Sequence, residues 1–354
     1  MNRYCIVWAL LLACLPGRAA LAERWVAPRA WRTRPLRVQS ATTPRVGTLL
    51  RRHRKQPRSK AVLGGEKLEF SGIRGRDVYN PTRPFRIGGA TVMAARVESR
   101  SSETDSQVWF FERAGSNRYR PVRGAPRLGL QDPFVTQIGD EIVLGGVEVK
   151  SLGQGRTTYK TAFYRGKTLG GLRRFAEGPP RMKDIRLTGL PDGRIFVLTR
   201  PQGKVGGKGK IGYTILDSLD RLNPRAIRRA RLLPRQFANK YRSWGGANEI
   251  IPLGKDRLGV LGHVAREDSR RRLHYYPMSF TIDLARGAVS PMKILVERAD
   301  LPGGLAGAAK WRKVRDVLFS GGLERHRDGT ATLTVGAGDA EVLQQRIPDP
   351  FSRP

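Results

Sequence analysis

The chain has 354 residues, enough for one large or two ordinary domains with a sizeable core. Its 66 lysines and arginines against 30 acids leave a formal charge of +36, which points to anionic partners such as phosphate, sugar nucleotides, nucleic acid or an acidic membrane face. The only cysteines, Cys5 and Cys14, lie at the extreme N-terminus, so a chain lacking that segment has no disulfide or cysteine-metal site. Four histidines without His-x-x-x-His spacing argue against a structural zinc, and no metal or cofactor is expected.

Residues 1–22 read as a leader. Met1-Asn2-Arg3 is basic, Tyr4 to Leu15 is apolar, and Ala20-Leu21-Ala22 supplies the small residues that a signal peptidase reads. The apolar run is too short for a spanning helix, which needs roughly 20 residues. Export to the secretory pathway follows, with a lipoprotein box at Leu11-Leu12-Ala13-Cys14 and a cytoplasmic or organellar location as alternatives. Residues 23–60 hold ten arginines and two lysines against Glu23 alone. That charge density, with Pro28, Pro35, Pro44 and Pro57, predicts a disordered basic arm, either merely solvated or in contact with a polyanion.

From residue 61 to 354 short β-rich runs alternate with turn residues. Four segments repeat the pattern apolar strand, Gly/Asp turn, apolar strand, with turn residues Gly139-Asp140, Asp192-Gly193, Gly254-Lys255-Asp256 and Asp328-Gly329. A fifth candidate runs from Val108 to Tyr119 through Ser116-Asn117. Repeats of this size predict an all-β fold, a five-bladed β-propeller, with a β-sandwich as the other architecture. Matching polar sites from each blade would then meet in a central cavity. Asp132, in Gln131-Asp132-Pro133-Phe134, would sit at a strand mouth given the proline after it, although on spacing alone Asp-Pro is more often a turn initiator.

Eight blocks in order carry a family resemblance: Val78-Tyr79-Asn80, Gln131-Asp132-Pro133-Phe134, Lys183-Asp184-Ile185-Arg186-Leu187, Thr199-Arg200-Pro201-Gln202-Gly203, Trp244-Gly245-Gly246-Ala247-Asn248-Glu249, His274-Tyr275-Tyr276-Pro277, Phe319-Ser320-Gly321-Gly322 and Gly338-Asp339-Ala340-Glu341. Over roughly Asp77 to Phe351 the chain resembles the family once labelled domain of unknown function 1861, grouped as glycosyltransferase family 108. That family is related to the mannoside phosphorylases of glycoside hydrolase family 130. The resemblance implies a five-bladed propeller acting on β-1,2-linked mannose, using phosphate and mannose-1-phosphate, or GDP-mannose. It assigns the catalytic acid to Asp132 and a second functional carboxylate to Asp339. Pro81 and Arg83 stand where smaller or apolar residues are more usual, which bears on the geometry around Asn80 and on acceptor choice.

The chemistry gives each residue type a reason. An inverting phosphorylase manages with one carboxyl, because phosphate is already an anionic nucleophile. Asp132 would be acid in phosphorolysis and base in synthesis, and the acid role calls for a raised pKa. Arg186, Arg200, His263 and Tyr276 are candidates to hold phosphate. Trp244 offers an indole face to a sugar ring, while Asn80, Asp184, Gln202, Asn248 and Glu249 can read hydroxyl groups. Each also has an ordinary structural reading: Asp184 as an ion-pair partner of Lys183 or Arg186, His263 and Trp244 as core residues. A non-catalytic glycan-binding propeller is the alternative function.

Overall fold

The computed structural model describes residues 36–38, 44–57, 62–154, 156–237, 242–302, 307 and 309–352. The expected leader, with the cleavage site expected near Ala22, and most of the expected basic arm lie outside them. The described residues form an all-β fold of four sheets, built from five antiparallel strand groups, or meanders, in chain order, the last two joined by the parallel pairing of His274 with Asp316 and Tyr275 with Val317. The first contains Arg76–Tyr79, Ala90–Ser99, Gln107–Arg113 and Arg118–Pro121, and the second Gln131–Ile138, Glu141–Ser151, Thr157–Gly166 and Arg173–Glu177. Arg186–Gly189, Ile195–Thr199, Gly212–Leu216 and Arg231–Leu232 make the third, and Ser243–Pro252, Arg257–Glu267 and Leu273–Asp283 lead the fourth. The fifth has Asp316–Arg325, Thr330–Ala337 and Glu341–Pro348, and takes its fourth strand, Gly64–Lys67, from the start of the domain.

The Gly/Asp turns fall between paired strands as the sequence predicts, and Gly139, Gly193 and Gly329 take the positive φ that tight hairpin turns require. The apolar cores lie between successive meanders. Phe85, Val92 and Phe110 of the first meet Val135 and Leu144 of the second, and Phe134, Val143 and Phe163 meet Ile185, Leu187 and Val197. Phe196 and Leu198 then pack with Ile250 and Val260, and Leu261 with Leu318 and Leu333. A last cluster joins Val342 of the fifth meander to Val78, Met93 and Trp109 of the first, so the sequence of cores returns to its starting point.

The basic arm is corrected over its described residues. Arg37–Val38 pairs with Ala288–Val289, and Val46–Arg54 is an α-helix, here α1. Val46, Leu49, Leu50 and His53 are buried at spacing i, i+3, i+4, i+7, while Arg51, Arg52 and Lys55 face solvent. Charge on one stripe therefore does not prevent burial of the other. Arg54 forks onto Glu297, with Nε to Oε1 at 2.7 Å and Nη2 to Oε2 at 2.6 Å, and His53 Nε2 lies 2.6 Å from Asp300 Oδ2. Among the described residues, no helix is long and apolar enough to cross a membrane.

Candidate active site

Four polar residues of the predicted set sit on strained backbone. Asn80, Asp132, Asp184 and Asp339 have φ of 46°, 48°, 57° and 54°. Asn80 follows the first strand of its meander, Asp132 is the second residue of Gln131–Ile138, and Asp184 precedes Arg186–Gly189. Asp339 lies in the turn between the last two strands of the fifth meander. Asn and Asp tolerate this left-handed region better than most residues, and such strain concentrates where function fixes a side chain.

All four line one cavity of about 240 Å³, together with Arg96, Lys183, Arg200, His263, Tyr275 and Lys313. Asn80 Nδ2 donates to Asp132 Oδ1 at 2.8 Å, and Arg96 Nη1 donates to the same oxygen at 3.3 Å. Asp132 Oδ2 takes no hydrogen bond from the described residues. Arg96 is itself held by Glu98 through Nε at 3.0 Å and Nη2 at 2.7 Å. Glu98 is fully buried and also engages Tyr79, Ser106 and Lys310. The Gly336 position lacks a Cβ because one there would fall 2.1 Å from Asn80 Oδ1.

On the facing wall, Arg200 Nη1 donates to Asp184 Oδ2 at 2.7 Å, and His263 Nε2 stands 3.9 Å from that oxygen. His263 Nδ1 lies 2.8 Å from Asn248 Oδ1. With Asn248 as acceptor, Nδ1 carries the proton and Nε2 is an acceptor facing Asp184. Lys183 is half-buried and makes no hydrogen bond or ion pair with the described residues, which leaves its ammonium for an anion.

Electrostatics separate the carboxyl groups. Burial pushes the Asp132 pKa up, but the Arg96 guanidinium, the Lys183 ammonium and the Asn80 amide more than offset it, so Asp132 sits below the usual carboxylate range. This corrects the expectation of a raised Asp132. The raised group is Asp339, pushed up to about 6 by burial, against Arg96 and with the help of the nearby Asp132 charge. Burial brings His263 down to about 3, so it is neutral and not a cationic phosphate ligand. Asp184 is held low despite burial by the Arg200 guanidinium, with the Lys183 and Arg186 charges adding to it.

Six predicted residues are not on the cavity wall. Arg186 is buried, donating from Nε to Asn248 O at 2.7 Å with its guanidinium over the Phe134 ring. Trp244 is core, its Nε1 donating to Tyr275 Oη at 3.1 Å, and Asn248 is the partner of His263. Glu249 is occupied by Arg83 Nε at 2.6 Å and by the Leu323 amide at 2.9 Å, so the unusual Arg83 takes that carboxylate away from sugar reading. Gln202 accepts from Tyr159 Oη at 2.7 Å and donates to Lys208 O. Tyr276 is buried with its hydroxyl toward Asp316; its neighbour Tyr275 lines the cavity, since adjacent strand residues face opposite ways.

Sequence reasoning missed Arg96, Lys183, Tyr275 and Lys313 as wall residues. Arg96 had a signal: it stands in a run of apolar strand residues with Glu98 two positions on, hence on the same face. Lys313, exposed in a charged loop, had none. A possible metal-ligand trio among the described residues, His53, Glu297 and Asp300, belongs to the α1 contact, where Arg54 already engages Glu297.

The fold and sequence have known counterparts. The chain is similar to a mannose phosphorylase from Leishmania mexicana, in complex with phosphate ion, at 33% identity over 85% of this chain and 94% of that one, with a TM-score of 0.75. It is also similar to a GDP-Man-dependent mannosyltransferase from Leishmania mexicana, at 30% identity over 87% and 95%, with a TM-score of 0.76. A β-1,2-mannobiose phosphorylase from Listeria innocua shares the fold at 15% identity over 78% and 91%, with a TM-score of 0.55. No curated protein matches the sequence. Residues 54–353 match the family described as "Protein of unknown function (DUF1861)", and to that family the chain belongs.

Proposed function

We propose that this chain is a mannoside-processing enzyme, a five-bladed propeller that moves mannose between β-1,2-mannosides and phosphate with inversion at the anomeric carbon. The observation that carries the reading is the cavity itself, where an anchored Asp132 shares walls with the uncommitted Lys183 ammonium and with Asp339. The likeness to a mannose phosphorylase holding phosphate supports it, and the closed succession of cores supports the propeller.

In phosphorolysis a phosphate oxygen bonds to the anomeric carbon as the glycosidic bond breaks. The leaving oxygen takes its proton from Asp132, giving mannose-1-phosphate and a shortened chain. Arg96 and Asn80 hold Oδ1, so Oδ2 is the oxygen that moves the proton. Bound phosphate brings negative charge that raises the Asp132 pKa from its low resting position and favours the protonated acid. In synthesis the same carboxylate, ionised in the empty cavity, accepts the acceptor hydroxyl's proton. Lys183, Lys313 and Arg200 balance the phosphate charge, and Asp339 binds a sugar hydroxyl.

Transfer from GDP-mannose is the second reading, supported by the likeness to a GDP-Man-dependent mannosyltransferase. The test is phosphate-dependent release of mannose-1-phosphate from β-1,2-mannobiose and longer chains, beside transfer from GDP-mannose. Asp132→Asn is expected to lower turnover by about 10²- to 10⁴-fold, the range for loss of a general acid/base. Wild-type silence in both assays, with glycan binding retained in Asp132→Asn, would make the chain a binding propeller instead.

A further inference from the structure

Of the three described tryptophans, Trp109 and Trp244 are buried and Trp311 is 39% exposed. Trp311 precedes the short 3₁₀ turn Arg312–Val314, and two residues of that turn, Lys313 and Val314, line the cavity. Its indole makes no hydrogen bond with the described residues. At this exposure part of the indole's apolar face is open to a partner, while its N–H is free to meet water or a hydroxyl.

Residues 310–314 are tied to the cavity rim through Lys310. The Lys310 amide donates to Gly338 O at 2.7 Å, next to Asp339, and the Val314 amide donates to Trp311 O at 3.0 Å. Lys310 is itself buried, and its ammonium engages both Glu98 and the Ser102 carbonyl. The stretch from Ser99 to Ser106 is thereby tied to the loop. That stretch includes Glu103, another cavity residue, and Gln131 Nε2 donates to Glu103 O at 2.9 Å. Trp311 thus stands just outside the wall on the Asp339 side, on a backbone held by the same buried lysine that braces Glu98 and, through it, Arg96.

We infer that Trp311 is a stacking platform for a pyranose ring of the oligosaccharide, one or more units beyond the ring that reacts. This rests on the reading of the chain as a mannoside-processing enzyme. The cavity of about 240 Å³ accommodates little more than one or two sugar rings, so a longer chain must leave past the rim. A flat apolar face presented there meets the C–H face of a sugar, while the surrounding Lys313 and Arg312 meet its hydroxyl groups. The platform would make the protein favour longer chains over the disaccharide.

The experiment compares wild type, Trp311→Ala and Trp311→Phe on β-1,2-mannobiose, mannotriose and mannotetraose. Mannose-1-phosphate release is measured at each length, and mannotetraose binding is measured separately by calorimetry. In Trp311→Ala, kcat/KM is expected to fall about tenfold for mannotetraose, the scale of one aromatic stacking contact, mainly through KM. The loss shrinks as the chain shortens, and Trp311→Phe restores most of it. An equal loss at every length, or none, overturns the platform while leaving the proposed activity standing. If wild type turns over no mannoside yet binds mannotetraose, and Trp311→Ala weakens that binding, the activity falls and the platform stands. Neither turnover nor binding in wild type refutes both.

Discussion

Asp132 and Asp339 share a cavity but are pushed in opposite directions, and the sign of each shift can be tested. Asp339, at about 6 in the folded chain, holds a proton that the unfolded chain releases near the ordinary value of 3.8. Its contribution to stability is therefore lost as pH rises from about 4 to about 6. Asp339→Asn is expected to raise the urea midpoint at pH 7 and to flatten its pH dependence across that window. The same substitution should remove a limb near pH 6 from the kcat/KM profile. Asp132 behaves oppositely: its depressed pKa stabilises the fold above the unfolded value and ceases to do so as acid protonates it. Asparagine keeps the left-handed backbone at both positions, so these variants report on charge. Asn80, Asp132, Asp184 and Asp339 all stand in the blocks that carry the family resemblance, and that these four come together in one cavity was legible from those blocks. Tyr276 faces away from the cavity that Tyr275 lines, because neighbouring residues of a strand point to opposite faces. Arg186 and Glu249 engage buried partners, the Asn248 carbonyl and Arg83, which come from other segments of the chain and so were not legible in the sequence.

At the scale of elements, the hairpins were readable and α1 was not. Glycine and aspartate at the turns announce paired strands locally, and the ladders follow. For α1 the composition of residues 23–60 concealed the periodicity: counted together the arginines predict disorder, but placed on a helix they leave Val46, Leu49, Leu50 and His53 on one stripe. Leu49, 4% exposed, is the element's central apolar contact with the domain. Leu49→Ala is expected to weaken docking by about 2–4 kcal/mol, the usual cost of emptying a buried leucine site. Trypsin should then cut within Arg51–Lys55 faster than in wild type, at unchanged mannoside turnover, since α1 contributes nothing to the cavity wall. Unchanged cleavage would mean that the Arg54–Glu297 and His53–Asp300 contacts alone hold the helix.

For the whole molecule the decisive pairing is the most distant one. Gly64–Lys67 lies antiparallel to Glu341–Pro348, with Gly64 opposite Arg346 and Lys67 opposite Leu343, and Lys67 Nζ meets Glu341 Oε1 at 2.5 Å. The Gln345 side chain lies against Gly65, where a Cβ would fall 2.2 Å from its Oε1 and the amide would have to move. No local pattern in the sequence announces a partner that far along the chain, which is why the last sheet's fourth strand went unread. A chain beginning at Leu68 should lose on the order of 4 kcal/mol, about one per ladder residue, seen as a lower denaturant midpoint. The same pairing imposes an order on biosynthesis. The first strand of the domain leaves the ribosome long before its partner exists, and Asp132 too is made well before Asp339. The nascent protein must carry an open sheet edge until its final residues arrive, so it is most exposed to wrong partners just before it becomes able to act.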